Sequence, residues 1–184
     1  QLGSLHLRAG DPRLARENLA VALAALPPTD DDHRRVEILM DLGAAHAMSD
    51  EFAAAVAAFS QAAALADESG DRDGFIAGQL ARARAQLELG DVAAAAAVLE
   101  EVARAMDTPG TNRSARQQLQ LGELYHRLDK AAGSTGHTAE AVRLLTTAAE
   151  RAREEGDIRS ESFALGYLGA IAERFGDYDK ALAY

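Results

Sequence analysis

The sequence predicts an all-α protein, an α-solenoid of antiparallel helix pairs, on three observations. Alanine is the commonest residue and supplies nearly half of an apolar content of 48%, aromatic residues make up only 5%, and strand-like runs of β-branched residues are missing. One short phrase recurs along the chain at a spacing near 40 residues, which is typical of a repeat array. Each copy precedes a segment whose larger apolar residues recur three or four positions apart, as in a helix with one buried stripe.

The recurring phrase is predicted to form the first helix of each repeat. Its copies read LGSLHLRAGD at 2–11, LGAAHAMSDE at 42–51, RARAQLELGD at 82–91, LGELYHRLD at 121–129 and LGAIAERFGD at 168–177. The small residue of the phrase lies at Gly3, Gly43, Ala83, Gly122 and Gly169. The steps between these positions are 40, 40, 39 and 47 residues, so one repeat carries an insertion of seven.

A tight turn and a second helix are predicted to complete each repeat. The second helices are expected in ARENLAVALAAL (15–26), FAAAVAAFSQAAALA (52–66), VAAAAAVLEEVARAM (92–106) and EAVRLLTTAAERA (140–152). Gly10, Gly90 and Gly176 suit a helix end that needs positive φ. The Asp after each of them can accept hydrogen bonds from the first N–H groups of the next helix. SGD (69–71) and EGD (155–157) then mark the step to the following repeat.

This phrase resembles the tetratricopeptide repeat (TPR) family. Repeat two matches the family pattern at Leu42, Gly43, His46, Asp50, Ala55, Phe59 and Ala62. The resemblance implies a right-handed superhelix, with Gly43 facing Ala55 across the helix hairpin. Repeat three departs most from the pattern, with Arg82 for Leu and Gln86 for Tyr. A step of 40 rather than 34 resembles the long variant of LGN-type scaffolds and of bacterial CHAT-protease or regulator proteins, and we expect longer helices. HEAT repeats are the structural rival, but they lack this Leu-Gly phrase.

The domain expectation is a single TPR-like array over 1–184. Its repeats are expected at about 1–31, 32–71, 72–111, 112–157 and, truncated, 158–184. The chain begins with Gln1 and neither end shows a capping repeat, although a solenoid needs caps. We therefore expect either that the array continues in a longer chain, or that the exposed ends self-associate with another chain.

The stretch AAGSTGHT at 131–138 resembles a phosphate-binding P-loop. Ala131, Gly136 and Thr138 occupy three of the four fixed positions, but His137 replaces the essential Lys and a helix precedes the stretch where a P-loop needs a strand. The repeat spacing places the seven-residue insertion here, between the two helices of repeat four. We expect an irregular turn in which His137 replaces the capping Asp, Thr138 is a candidate cap, and 130–138 is a candidate partner contact.

No constellation in the sequence favours catalysis. The chain has no Cys, no H-E-x-x-H and no G-x-S-x-G. His6 and His46 occupy the Tyr position of the repeat, where packing is their expected role. We expect no enzyme activity, no catalytic residue, no metal and no cofactor. A net charge of −10 disfavours nucleic acid as a partner, and no apolar run is long enough for a membrane.

The resemblance implies that the first helices line a concave groove that binds a protein, a peptide or a partner helix. The groove positions carried over from the family are Met40, Ala44, Met48, Leu80, Arg84, Leu87, Glu88, Arg116, Leu119, Glu123, Arg127, Glu173 and Arg174. The Asn positions of the chaperone-type carboxylate clamp hold other residues, Arg84 and Glu123 among them, so that clamp is missing. An ordinary solvated face with ion pairs within each helix is the alternative interpretation. Under the groove interpretation, Arg84→Glu with Arg127→Glu weakens partner binding.

Two functions fit these observations. One is a non-catalytic interaction scaffold. The other is the regulatory or sensor arm of a larger bacterial protein, such as a CHAT-type protease or an ATP-dependent transcription activator, whose catalytic domain lies outside this segment. The bias towards Ala, Arg, Asp and Gly is typical of GC-rich bacteria, and a cytoplasmic location is expected.

Overall fold

The computed structural model describes residues 2–26, 32–107 and 114–184, and every regular element in those ranges is an α-helix. The helices are α1 Leu2–Arg8, α2 Pro12–Ala25, α3 Asp32–Ala47, α4 Phe52–Glu68, α5 Arg72–Glu88, α6 Val92–Met106, α7 Ala115–Ala132, α8 Thr138–Glu155, α9 Ile158–Arg174 and α10 Tyr178–Ala183. None of these helices is both long enough and apolar enough to serve as a membrane span. The all-α prediction is confirmed.

The chain forms two compact units, Gln1–Val98 and Leu99–Tyr184. In the first unit α1 packs on α2, α3 on α4 and α4 on α5. In the second, α7 packs on α8, α8 on α9 and α9 on α10. Within each unit the first helices of successive repeats also touch, since α1 contacts α3, α3 contacts α5 and α7 contacts α9. The predicted antiparallel pairs are present, while the division into five repeats of one array stays a prediction.

The turns follow the predicted chemistry. Gly10, Gly90 and Gly176 have φ of 78°, 77° and 74°, which glycine adopts without steric cost. Asp11 Oδ1 accepts a hydrogen bond from the Leu14 N–H at 3.0 Å, and Asp91 Oδ1 accepts one from the Ala94 N–H at 3.1 Å.

The connections between α4 and α5 and between α8 and α9 are only three and two residues long. At these two steps the chain passes from one repeat to the next without a long loop, while longer helices as the source of the long repeat stay a prediction.

The small residue of the phrase makes room for a large side chain of the second helix. A Cβ on Gly43 would lie 2.5 Å from Cε1 of Phe59, and one on Gly3 would lie 2.5 Å from Cγ of Leu19. The three atoms nearest to such a Cβ on Gly43 all belong to the Phe59 ring, so Phe59 limits the space at this position, while the expectation that Gly43 faces Ala55 stays a prediction. Phe59 and Ala55 belong to one apolar cluster with Ala85 of α5. In the divergent third repeat, Gln86 is buried and its Oε1 accepts no hydrogen bond from the described residues.

The seven inserted residues mostly lengthen a helix. α7 continues ten residues past Gly122, to Ala132, whereas α9 continues five residues past Gly169, to Arg174. Gly133 then closes α7 with φ of 61°, and α8 begins at Thr138. The insertion lies between the two apolar stripes, as the spacing predicted, but most of it forms extra turns of α7 rather than a loop.

Candidate interaction surface

In the first unit the predicted groove positions of α3 form a partly exposed apolar strip. Met40 is half-buried and packs against two apolar clusters, one around Val36 and Leu39 and one around Phe59. Ala44 is half-buried, and Met48, just past the end of α3, is 51% exposed. Two methionines of this kind offer a flexible and polarisable surface that adapts to an apolar side chain.

The predicted positions on α5 divide into buried and exposed residues. Leu80 is 3% exposed, so it belongs to the core of the unit and has little surface left for a partner. Leu87 is half-buried, while Arg84 and Glu88 are exposed. Because α3 contacts α5, the unit combines an apolar strip on one helix with charged residues on the next.

In the second unit α7 carries four predicted positions, of which only some are accessible. Arg116 is exposed, but Leu119 is 9% and Glu123 6% exposed, so these two support the helix packing. Arg127 is half-buried, and its Nη1 lies 3.5 Å from Oε1 of Glu123. The pair lies within one helix, but because Glu123 is buried it is not an ordinary solvated ion pair.

The α9 positions Glu173 and Arg174 are exposed, but Arg174 also has a structural role that the sequence did not indicate. Its Nη2 donates to the carbonyl oxygen of Ser134 at 2.8 Å and approaches that of Asp129 at 3.4 Å. Its guanidinium carbon lies 5.7 Å from the centroid of the Phe175 ring. Arg174 therefore ties the α7–α8 turn to α9.

Asp129 is the centre of the α7–α8 turn. It is completely buried, and its carboxylate accepts hydrogen bonds from the Ser134 hydroxyl at 3.0 Å and the Thr138 hydroxyl at 2.8 Å. The backbone N–H of His137 lies 3.1 and 3.0 Å from its two oxygens, and His137 Nδ1 is 3.0 Å from Oδ1. The prediction that Thr138 caps α8 is wrong, because its hydroxyl donates to Asp129. Asp129, from the end of the preceding helix, accepts from the N–H of His137, the residue just before α8, and so holds the turn rather than capping the first turn of that helix.

An aromatic stack covers the same turn. The rings of Tyr125 and His137 are 5.0 Å apart and nearly parallel, and the Tyr125 hydroxyl donates to the Leu99 carbonyl at 3.3 Å. Burial, together with the negative charge of Glu140, raises the pKa of Tyr125 to about 12, so the phenol stays a donor. Burial alone would raise the pKa of Asp129, but the hydrogen bonds from His137, Thr138 and Ser134 outweigh it and lower that pKa.

This geometry does not resemble a phosphate site. The α7 helix precedes the turn, and the His137 N–H donates to a carboxylate of the protein. A P-loop turns such amides towards phosphate instead. Among residues 2–26, 32–107 and 114–184, no three His, Asp or Glu side chains converge as metal ligands do.

No protein-family model and no curated protein matches the sequence. Solved structures do resemble the fold. Two structures of a Podosopora anserina kinesin-light-chain-like protein with nearly identical TPR-like repeats have TM-scores of 0.72 and 0.70 at 21% identity, over 99% of this chain and 87% of theirs. The fold is that of TPR-like repeat proteins.

Rap proteins share this TPR-like fold. A Rap protein complexed with competence and sporulation factor has a TM-score of 0.68 at 19% identity over 98% of this chain. The Rap conjugation gene regulator of plasmid pLS20, in complex with the Phr* peptide, has a TM-score of 0.66 at 14% identity over 99% of this chain. This chain spans about half the length of either Rap structure, 49% in both cases.

Proposed function

We propose that this chain is a non-catalytic scaffold that binds an extended peptide or a partner helix on the exposed side chains of its first helices. The observation that carries the proposal is the surface of α3 and α5 in the first unit. There Met40, Met48 and Leu87 keep partly exposed apolar side chains beside exposed Arg84 and Glu88. Apolar anchors with a charged rim are what peptide grooves offer.

The TPR-like structures support the same proposal. The two Rap structures are complexes, one with competence and sporulation factor and one with the Phr* peptide. Their sequence identity to this chain is too low to carry over any ligand-binding residue. They do support a peptide as the kind of partner that this fold accommodates.

Selection of a peptide from a displayed random library on the purified chain, followed by titration, tests the proposal. We expect the selected peptides to lose affinity by roughly three- to tenfold with Arg84→Glu, and similarly with Met48→Ala, since each substitution removes one rim or anchor contact. Arg127→Glu is unsuitable, because it would place a second negative charge beside buried Glu123.

Arg13→Glu is the matched control for Arg84→Glu. Arg13 lies on α2, a second helix of the same unit, and its side chain is 72% exposed, so it gives the same change of charge away from α3 and α5. Affinity that falls equally with Arg13→Glu and Arg84→Glu would contradict the proposed surface. So would a library from which no saturable binder emerges.

The second candidate function is the regulatory arm of a larger bacterial, cytoplasmic protein. The likeness to a Rap conjugation gene regulator supports a regulatory context.

Self-association through exposed apolar residues is also proposed; Leu2 and Leu182, for example, are 63% and 87% exposed. Sedimentation over a range of concentrations tests it, since self-association predicts a mass that rises with concentration.

A further inference from the structure

We propose that the second unit carries a separate site for an acidic peptide segment, formed by His126 and Lys130 of α7 and Arg174 of α9. These three residues are called the basic cluster below. The inference rests on the proposed function, because it names the chemistry of one partner segment. It concerns different residues from the surface of α3 and α5.

The backbone brings the three side chains together. His126 and Lys130 are four residues apart on α7 and therefore share one face of that helix. Arg174 reaches the same end of α7, since its Nη2 lies 3.4 Å from the Asp129 carbonyl and 2.8 Å from the Ser134 carbonyl. Lys130 and Arg174 are exposed and His126 is half-buried, so an incoming group can approach all three.

The nearby carboxylates are already engaged. Asp129 lies between His126 and Lys130 in sequence and contacts Arg174, but its carboxylate is fully buried and accepts hydrogen bonds from Ser134, His137 and Thr138. Glu123 is buried and pairs with Arg127. These two carboxylates are therefore engaged inside the protein, whereas Glu173, next to Arg174, is exposed.

The pKa of His126 responds to the positive charges of its two neighbours in the cluster. Burial lowers the pKa of His126, and the positive charges of Arg174 and Lys130 lower it further. Asp129 and Glu123 act in the opposite direction but do not outweigh these effects. His126 is thus held towards its neutral form, and Lys130 and Arg174 supply the positive charge of the cluster on a chain whose net charge is −10.

A short acidic peptide suits the basic cluster better than a nucleic acid does. Glutamate side chains can pair with Arg174 and Lys130, and the half-exposed ring of Phe175 beneath Arg174 offers an apolar contact next to them. A nucleic acid carries many more phosphate charges than the three residues of the basic cluster could contact. The acidic remainder of the chain would repel the other phosphates.

Fluorescence anisotropy on the full chain tests the inference. The probe is a short fluorescein-labelled peptide rich in glutamate and leucine, and the comparison peptide has glutamine in place of every glutamate. Lys130→Glu is the test variant. Lys180→Glu is the matched control, because Lys180 is the other lysine of the chain, is also exposed, and lies on α10. The same titrations are run with labelled single-stranded DNA.

We expect the glutamate peptide to bind more tightly than the glutamine peptide, and to lose roughly three- to tenfold in affinity with Lys130→Glu but less than about twofold with Lys180→Glu. Equal effects of the two lysine variants, equal binding of the two peptides, or tighter binding of the DNA would each overturn the inference. If library-selected peptides still respond to Arg84→Glu in that case, the proposed function stands and only the basic cluster is refuted.

Discussion

The backbone N–H of His137 lies 3.0–3.1 Å from both carboxylate oxygens of Asp129, a residue eight positions earlier on the preceding helix. In the ordinary repeat, the Asp directly before the second helix accepts a hydrogen bond from a backbone N–H in the first turn of that helix, as Asp91 does from the Ala94 N–H. In repeat four His137 stands in place of that Asp, and the carboxylate of Asp129, near the lengthened end of α7, accepts a hydrogen bond from the N–H of His137 itself. The carboxylate thereby joins two helices rather than capping one.

Removal of this carboxylate should destabilise the protein more than removal of an ordinary cap. Asp129→Ala leaves the Ser134 and Thr138 hydroxyls and the His137 N–H without their buried acceptor, so we expect a loss of about 2–4 kcal/mol in the free energy of unfolding. Asp91→Ala, the control, should cost about 1 kcal/mol. Urea denaturation of both variants measures the difference, and equal losses would contradict the account.

The contribution of Asp129 should disappear in acid. Its folded-state pKa lies below the ordinary value of 3.8, so its stabilising effect is complete above that pH and is lost as the pH falls through the folded-state pKa. The stability difference between the wild type and Asp129→Asn should therefore be largest near neutral pH and shrink below about pH 4. Denaturation curves of both proteins at several pH values measure this stability difference. A difference that grows as the pH falls would contradict the stabilising role of the Asp129 carboxylate.

Gly43→Leu should destabilise the first unit by roughly 1–3 kcal/mol, because its side chain would enter the space of the Phe59 ring. Gly166→Leu is the matched control. Gly166 is also helical, but a Cβ there meets no atom within 4 Å, so the substitution should be neutral or slightly stabilising through helix propensity. Thermal melts compare the two. An unchanged melt for Gly43→Leu would refute the packing described for this hairpin.

Asp50→Gly should stabilise the protein by about 0.5–1 kcal/mol. Asp50 has φ of 57°, in the place where Gly10 and Gly90 have φ of 78° and 77° at the equivalent turns. A side chain in this left-handed region costs energy that glycine avoids. Thermal denaturation of the variant checks the sign, and Asp50→Ala, which keeps a Cβ, should show no such gain.

The fold could be predicted from the sequence because its determinants are local. The Gly-Asp pairs fix the turns, and the spacing of apolar residues fixes the buried stripe of each helix. The close approach of Phe59 to Gly43 was not predicted, because the family pattern gives the order of small and large residues, but not which of them comes nearest to the glycine. Phe59, one turn beyond Ala55, is the larger side chain and reaches the glycine first.

The roles of Asp129 and Arg174 could not be predicted, because both depend on contacts across the chain. Arg174 lies 40 residues from Ser134 in sequence, and no periodic signal links them. Asp129 looked like an ordinary residue at the end of the phrase. The one available signal was that His137 stands where other repeats have a capping Asp, and Asp129 pairs with the N–H and Nδ1 of that His137.

The central claim is that partners bind to the first helices of the repeats, and hydrogen–deuterium exchange of the chain with and without a library-selected peptide tests it most directly. We expect slower amide exchange on peptide binding within α3 and α5, or within α7 and α9, and unchanged exchange in α2 and α8. Protection confined to α2, α4 or α8 would contradict the claim.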